Sequence, residues 1–142
     1  MTTSSTAQVG ESLDVARAQL AELAGLSKAT IKVNKTASGL QTNRRIWFEA
    51  TSSATSADEQ AKQIEQLLEL GWSINDVDAN SGVSVRLHTS PQVVVGDLLD
   101  SSWTDLEYRS SPESFKELVV VPRSSLEAKL GAWPGDVPDL SS

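Results

Sequence analysis

Apolar residues along the first part of the chain repeat with two different periods. Near the N-terminus they recur every three to four positions, which predicts an amphipathic helix over Glu11–Ala24, ended by Gly25. From Lys28 to Thr51 apolar and polar residues alternate, which predicts two β-strands joined by a turn at Ser38-Gly39.

The predicted hairpin has one mainly apolar face and one mainly polar face. A tight turn at Ser38-Gly39 places Ile31 opposite Ile46 on the apolar face. The same register places Lys32 opposite Arg45 on the polar face, where the like charges repel each other. The pattern therefore predicts a half-buried hairpin with one unfavourable pair of cations.

A second helix and a second hairpin are predicted in the middle of the chain. Ser56 and Glu59 have the spacing of a capping box, and the helix that they begin is predicted to end at Gly71. Val83–Leu87 alternates apolar and polar residues and is predicted to be a strand, with Trp72–Val77 as its hairpin partner.

The C-terminal third completes the predicted domain. Its predicted elements are a strand or short helix over Gln92–Leu99, a helical turn from Ser111-Pro112 to Leu118, a strand at Val119–Val121 and a helical turn at Ser125–Leu130. The fold class predicted from all elements is α+β: a two-layer antiparallel sheet of two hairpins with two packed helices and an irregular C-terminal extension. The single domain covers residues 11–130, between a flexible N-terminal arm (1–10) and a C-terminal tail (131–142).

Composition excludes most catalytic and metal chemistry. The 142 residues include no cysteine and a single histidine, His88, which excludes disulfides, thiolate metal sites and multi-histidine metal sites. No glycine-rich phosphate loop is present, and no pair of carboxylates is singled out by its spacing. Asp76, Asp78 and Asn80 have the spacing of calcium ligands, but Ser81 replaces the glycine of such a loop. We therefore expect no catalytic residues, no metal and no cofactor, and His88 on the polar face of its strand.

Charge is distributed unevenly over a chain whose net charge is −7. Between Glu22 and Glu49 there is no acid, and there are five bases: Lys28, Lys32, Lys35, Arg44 and Arg45. From Glu49 to Gly82, by contrast, seven acids, Glu49 included, face a single base. An acidic surface repels nucleic acid and anionic membranes, whereas separate positive and negative surfaces favour the head-to-tail association of copies.

One short segment resembles the helix-turn-helix signature of bacterial repressors. Within Leu20–Ile31, Ala21 stands at the close contact between helices, Gly25 at the turn and Ser27 at the cap of the second helix. The resemblance implies that the second helix binds DNA through Ser27, Lys28, Lys32 and Lys35. Asn34 departs from the motif, which requires an apolar residue there, and the β-branched residues of the segment favour a strand. Strand and recognition helix are alternative interpretations of the same residues.

Tryptophan is unusually common among the aromatic residues. It accounts for four of the seven, and Trp103 and Trp133 lie among Ser, Asp and Pro residues that are poor core material. Exposed tryptophans and arginines are typical of protein interfaces. The predicted partner-binding residues are Lys32, Arg44, Arg45, Trp47, Trp103 and Trp133. The alternative is that each tryptophan folds back on the core of its own chain.

These features predict a non-enzymatic structural or protein-interaction subunit of a larger assembly, of which a viral particle is one example. The expected partners are copies of the chain or other subunits, and nucleic acid is a less favoured partner. Two alternatives stay open: a small DNA-binding regulator of the helix-turn-helix type, and an acidic inhibitor or immunity-type protein that masks a basic partner. No apolar run is long enough to span a membrane, so we expect a cytoplasmic or other intracellular protein, or a virion component.

Overall fold

The computed structural model describes residues 10–23, 25–106 and 116–137. The helices in these segments are α1 (Leu13–Leu20), α2 (Ala57–Trp72) and α3 (Arg123–Leu130), and Val95–Asp97 forms a 3-10 helix. The strands are β1 (Leu26–Ser38), β2 (Gln41–Ser52), β3 (Val83–His88) and β4 (Leu118–Val121). The predicted α+β class, with a sheet packed against helices, is confirmed.

The four strands form one mixed sheet in the order β1-β2-β3-β4. β1 and β2 form the antiparallel hairpin that the alternation predicts, but β3 pairs with β2 in parallel and with β4 in antiparallel orientation. The predicted second hairpin is therefore wrong. Trp72 is the last residue of α2, and Ile74 forms only an isolated bridge with Glu11. Because a helix fills the connection from β2 to β3, the chain returns to the sheet in the parallel direction.

The β1–β2 hairpin has the predicted faces but a different register. Its turn is at Gly39-Leu40 rather than at Ser38-Gly39. The glycine has φ +63°, which suits the first position of a tight hairpin loop. The shift moves each partner by two positions, and strand faces repeat every two residues, so the apolar face stays intact. Lys32 now lies opposite Trp47 instead of Arg45, and the opposed pair of cations is Lys35 and Arg44 instead.

The core lies between one face of the sheet and α2. Buried residues of the sheet are Ile46, Phe48, Val83, Val85, Leu87, Val119 and Val121, and those of α2 include Ile64, Leu67 and Leu68. The start of α2 is as predicted, because the Ser56 hydroxyl accepts a hydrogen bond from the Glu59 amide (3.2 Å).

The predicted end of α2 at Gly71 is wrong, since the helix continues to Trp72. Gly71 faces the sheet instead of ending the helix. A Cβ at this position would lie 2.8 Å from a ring carbon of Phe48 and 3.2 Å from the methyl groups of Val83. The missing side chain therefore lets the helix backbone approach β2 and β3 closely.

Three C-terminal predictions are confirmed. The strand at Val119–Val121 lies within β4, and the helical turn at Ser125–Leu130 lies within α3. Gln92–Leu99 contains the 3-10 helix, so the short-helix alternative holds there. The helical turn predicted from Ser111-Pro112 to Leu118 begins outside the described residues, and it is wrong at Leu118, which is the first residue of β4. Residues 131–137 contain no helix or strand.

Gly71→Ala tests the close contact between α2 and the sheet. The added methyl group would clash with the Phe48 ring, so we expect the free energy of unfolding to fall by about 1–3 kcal/mol, measured by urea unfolding. Lys62→Ala is the control, because Lys62 is exposed on the same helix and has no core packing to lose. A gain in stability for Gly71→Ala would contradict the contact, since alanine is the better helix former.

Candidate interaction surfaces

The sheet face opposite α2 carries Trp47. Lys32 of β1 and Ser84 of β3 are its neighbours on the adjacent strands. The guanidinium carbon of Arg86 lies 5.7 Å from the centre of the Trp47 ring, in a cation–π contact. The same guanidinium forms an ion pair with Glu117 (2.7 Å). Trp47 is therefore half-buried under a cation of its own chain, and part of its ring remains exposed.

A carboxylate and an imidazole form a pair on the same face. His88 Nε2 and Glu49 Oε2 are 3.0 Å apart, and the two side chains are 42% and 44% exposed. The hydrogen bond with His88 and the nearby charges of His88, Arg86 and Lys32 lower the pKa of Glu49 below its ordinary value. His88 thus lies on the polar face, as predicted.

Near its turn the hairpin extends past the other strands as a two-stranded ribbon. β3 pairs with β2 only from Ile46 onward. Lys35 and Arg44 lie opposite each other on the ribbon, and Leu40 at its tip is fully exposed. Among the described residues, no ion pair involves Lys28, Lys32, Lys35, Arg44 or Arg45. The hairpin therefore presents uncompensated positive charge beside an apolar tip.

The loop before β3 supports the base of this ribbon. Asn80 Oδ1 accepts a hydrogen bond from the Arg44 amide (2.7 Å), and Asn80 Nδ2 donates one to the Thr42 carbonyl (3.0 Å). Arg45 Nε donates to the Ser81 carbonyl (3.3 Å), so its guanidinium lies against the loop. These contacts fix the backbone that carries the arginines and hold the ribbon in place.

The structure has a strand where a helix-turn-helix protein has its recognition helix. Ser27, Lys28, Lys32 and Lys35 all lie in β1, which pairs with β2 apart from an irregularity between Ser27 and Thr30. The alternating residues of β1 find a partner strand with the same alternation, and this pairing decides between the two interpretations. The helix-turn-helix interpretation of these four residues is therefore wrong.

Trp103 and Trp133 fold back on the core of their own chain. Trp103 is 2% exposed, and its indole Nε1 donates a hydrogen bond to Glu65 (3.2 Å). Trp133 is half-buried, and its Nε1 donates to the Ile74 carbonyl (3.1 Å). The expectation of two freely exposed tryptophans is therefore wrong. Their polar surroundings in the sequence concealed this, because each indole finds its acceptor many residues away.

An acidic cleft lies between α2 and α3. It has a volume of about 310 Å³ and is lined by Glu65, Glu69, Trp103, Lys129 and Leu130. Burial, and then the nearby Glu65, raise the pKa of Glu69 above its ordinary value. The sequence analysis missed this cleft, because only the spacing of the two glutamates, one helical turn apart, indicates a shared face.

The loop that resembles a calcium site has structural contacts instead. Asp76 Oδ1 accepts a hydrogen bond from the Leu13 amide (2.9 Å), and Asp78 forms an ion pair with Arg123 (2.7 Å). In residues 10–23, 25–106 and 116–137, no group of three or more His, Cys, Asp or Glu side chains could hold a metal ion. These carboxylates therefore join the loop to α1 and α3.

Comparison with known proteins found no matching family model, no matching curated protein and no matching solved structure. In the part of the chain that the structure describes, no helix has both the length and the apolar character needed to cross a membrane. Two surfaces of the described residues are candidates for a functional contact: the basic hairpin and the acidic cleft.

Glu69→Gln tests the electrostatic state of the cleft. A carboxyl group whose folded-state pKa is raised binds its proton more tightly when folded, so it lowers stability as the pH rises through that pKa. We expect Glu69→Gln to be more stable than the wild type at neutral pH and to lose this advantage as the pH falls towards 4.5. Thermal melting at a series of pH values measures both effects. Glu59→Gln, on the exposed first turn of α2, is the control, and equal gains for both variants would refute the burial argument.

Proposed function

We propose that the protein is a non-enzymatic subunit of a larger assembly, in which the basic hairpin of one copy contacts the acidic cleft of the next. The observation that carries this proposal is the ribbon, on which Lys35 and Arg44 have no ion pair among the described residues and Leu40 at the tip is fully exposed. Unpaired charge and an apolar side chain at the end of a supported ribbon are features of a contact surface.

The chemistry of the two surfaces is complementary. The cleft is lined by the carboxylates of Glu65 and Glu69, by the apolar Trp103 and Leu130, and by one cation, Lys129, which lies 5.7 Å from the Trp103 ring. Its volume of about 310 Å³ accommodates a leucine side chain. Leu40 supplies that side chain, and the ribbon cations approach the carboxylates. A cation beside Glu69 would stabilise its ionised form, which its buried position disfavours.

The two surfaces are different patches of the same molecule, so their contact is heterologous and repeats from copy to copy. Two hairpins would instead bring like charges together, which disfavours a symmetric hairpin-to-hairpin dimer. An intracellular or virion location belongs to this proposal. The acidic inhibitor alternative uses the same cleft with a basic partner of different sequence. A nucleic-acid partner has less support, because the net charge is −7 and the recognition helix is not formed.

Arg44→Glu/Arg45→Glu tests the role of the hairpin in assembly. Wild-type protein should give a light-scattering mass that is a multiple of 15.2 kDa or that grows with concentration. The double variant should need at least about tenfold more protein for the same mass, because opposite charges at the contact become like charges. Glu22→Lys is the control, since it reverses the charge of an exposed side chain that belongs to neither surface. A monomeric wild type at every concentration would overturn the proposal and favour capture of a different basic protein.

A mixing experiment distinguishes the head-to-tail contact from other modes of association. Glu69→Lys disables the cleft but keeps the hairpin, whereas Arg44→Glu/Arg45→Glu disables the hairpin but keeps the cleft. Each variant alone should stay monomeric, and an equal mixture should form dimers that grow no further. Continued growth of the mixture, or its failure to dimerise, would refute the pairing of these two surfaces.

A further inference from the structure

The outer edge of β1 is a long strand edge without a partner among the described residues. β1 has 13 residues, lies at the end of the sheet order and pairs only with β2. An unpaired edge offers a row of backbone donors and acceptors to which another chain can add. The lysines of β1 are the kind of side chain that protects such an edge from uncontrolled pairing.

Two contacts establish which backbone groups face this edge. The Ile46 amide donates to Gly82, on the β3 side of β2, so it does not bond to its partner Val33 across the hairpin. The amide and carbonyl of Val33 therefore face the free edge, and so do those of Ile31, two residues before. The guanidinium of Arg17 confirms this direction, because it lies 3.4 Å from the Ile31 carbonyl oxygen.

A groove runs beside these backbone groups. It has a volume of about 300 Å³ and is lined by Arg17 and Leu20 of α1 and by Ala29, Thr30, Ile31 and Lys32 of β1. A helix on one side and a strand edge on the other give an extended peptide both hydrogen-bonding groups and an apolar wall. Both charged side chains that line the groove, Arg17 and Lys32, are cations, although Arg17 also lies 3.7 Å from the exposed carboxylate of Asp14. The lining itself therefore favours negative charge.

Charge decides which kind of segment fits. A second copy of β1 would bring two sets of Lys28, Lys32 and Lys35 together, and no acid lies between Glu22 and Glu49 to compensate them. An acidic segment would instead pair its carboxylates with these lysines and with Arg17. The groove therefore favours a partner of opposite charge over a second β1 strand.

We propose that this groove binds an extended acidic segment of a partner protein, which adds to β1 as a fifth strand. The site is separate from the hairpin tip and the acidic cleft, so it can exist whether or not copies of the chain associate. Backbone hydrogen bonds to the amide and carbonyl of Val33 hold the segment, because the Ile31 carbonyl already accepts from Arg17 and Ile31 is only 4% exposed. Arg17 and Lys32 select for its acidic side chains.

The first test uses a fluorescein-labelled peptide that alternates Asp and Val, with the full-length protein. Fluorescence anisotropy should show saturable binding that weakens as salt is added, whereas a peptide alternating Lys and Val should not bind. Hydrogen exchange should show new protection of the Val33 amide in the complex. Absence of saturable binding by the Asp peptide, or equal binding of the Lys peptide, would overturn the proposal.

The second test compares Val33→Pro with Val33→Ala. Proline removes the outward-facing amide without breaking a hydrogen bond to β2, and alanine keeps that amide while also removing the valine methyl groups. We expect at least about tenfold weaker peptide binding for the proline variant than for the alanine variant. Equal affinities for two folded variants would show that the peptide does not add as a strand, and would overturn the proposal.

A surface variant keeps the test decisive if the proline variant does not fold. Arg17→Glu changes a half-exposed side chain at the groove rim, and we expect at least about tenfold weaker binding of the Asp peptide, with Lys62→Glu as control. Unchanged affinity for Arg17→Glu would overturn the assignment of the groove. Light scattering of the same variants separates the association of copies from peptide binding in the groove. A variant that loses peptide binding but keeps the wild-type mass has a defect in the groove and not in the association of copies. If the Asp peptide fails to bind and Val33→Pro reduces the mass, the edge pairs with a second copy, and the acidic partner is refuted.

Discussion

The close packing of α2 on the sheet is the contact on which the rest of the structure depends. At Gly71 the helix backbone meets Phe48 of β2 and Val83 of β3, with no side chain between them. This contact holds two strands that are distant in sequence side by side and in parallel. α2 covers one face of the sheet. The hairpin before it in the chain and the short strands after it both pack against this helix through the shared core.

The unequal lengths of the strands explain where the candidate surfaces lie. β1 and β2 have 13 and 12 residues, whereas β3 and β4 have six and four. The short strands cannot cover the whole hairpin, so its turn extends into solvent and β1 remains an edge. The ribbon and the edge strand both belong to the segment between Glu22 and Glu49, which contains five bases and no acid. The ribbon and the groove therefore both carry positive charge.

Two acidic residues of α2, Glu65 and Glu69, lie on the side of the helix that faces α3. α2 needs one apolar face for the core, and its remaining positions carry Glu65 and Glu69 towards α3. Trp103 also lines this cleft, and its indole Nε1 donates a hydrogen bond to Glu65. Partial burial and the nearby Glu65 raise the pKa of the half-buried Glu69. The basic residues of the hairpin and these two acidic residues lie on different elements of the fold.

The sequence by itself determined the features that depend on near neighbours. Alternation fixed the two faces of the hairpin even though its turn lies one residue later, because faces repeat every two residues. The Ser56 capping box began α2 where predicted. Only the tertiary structure decided that β3 pairs with β2, that Trp103 is buried, and that Glu65 and Glu69 line a cleft. Periodicity and caps are local interactions, whereas strand partners, burial and clefts depend on residues far apart in the chain, which no local pattern specifies.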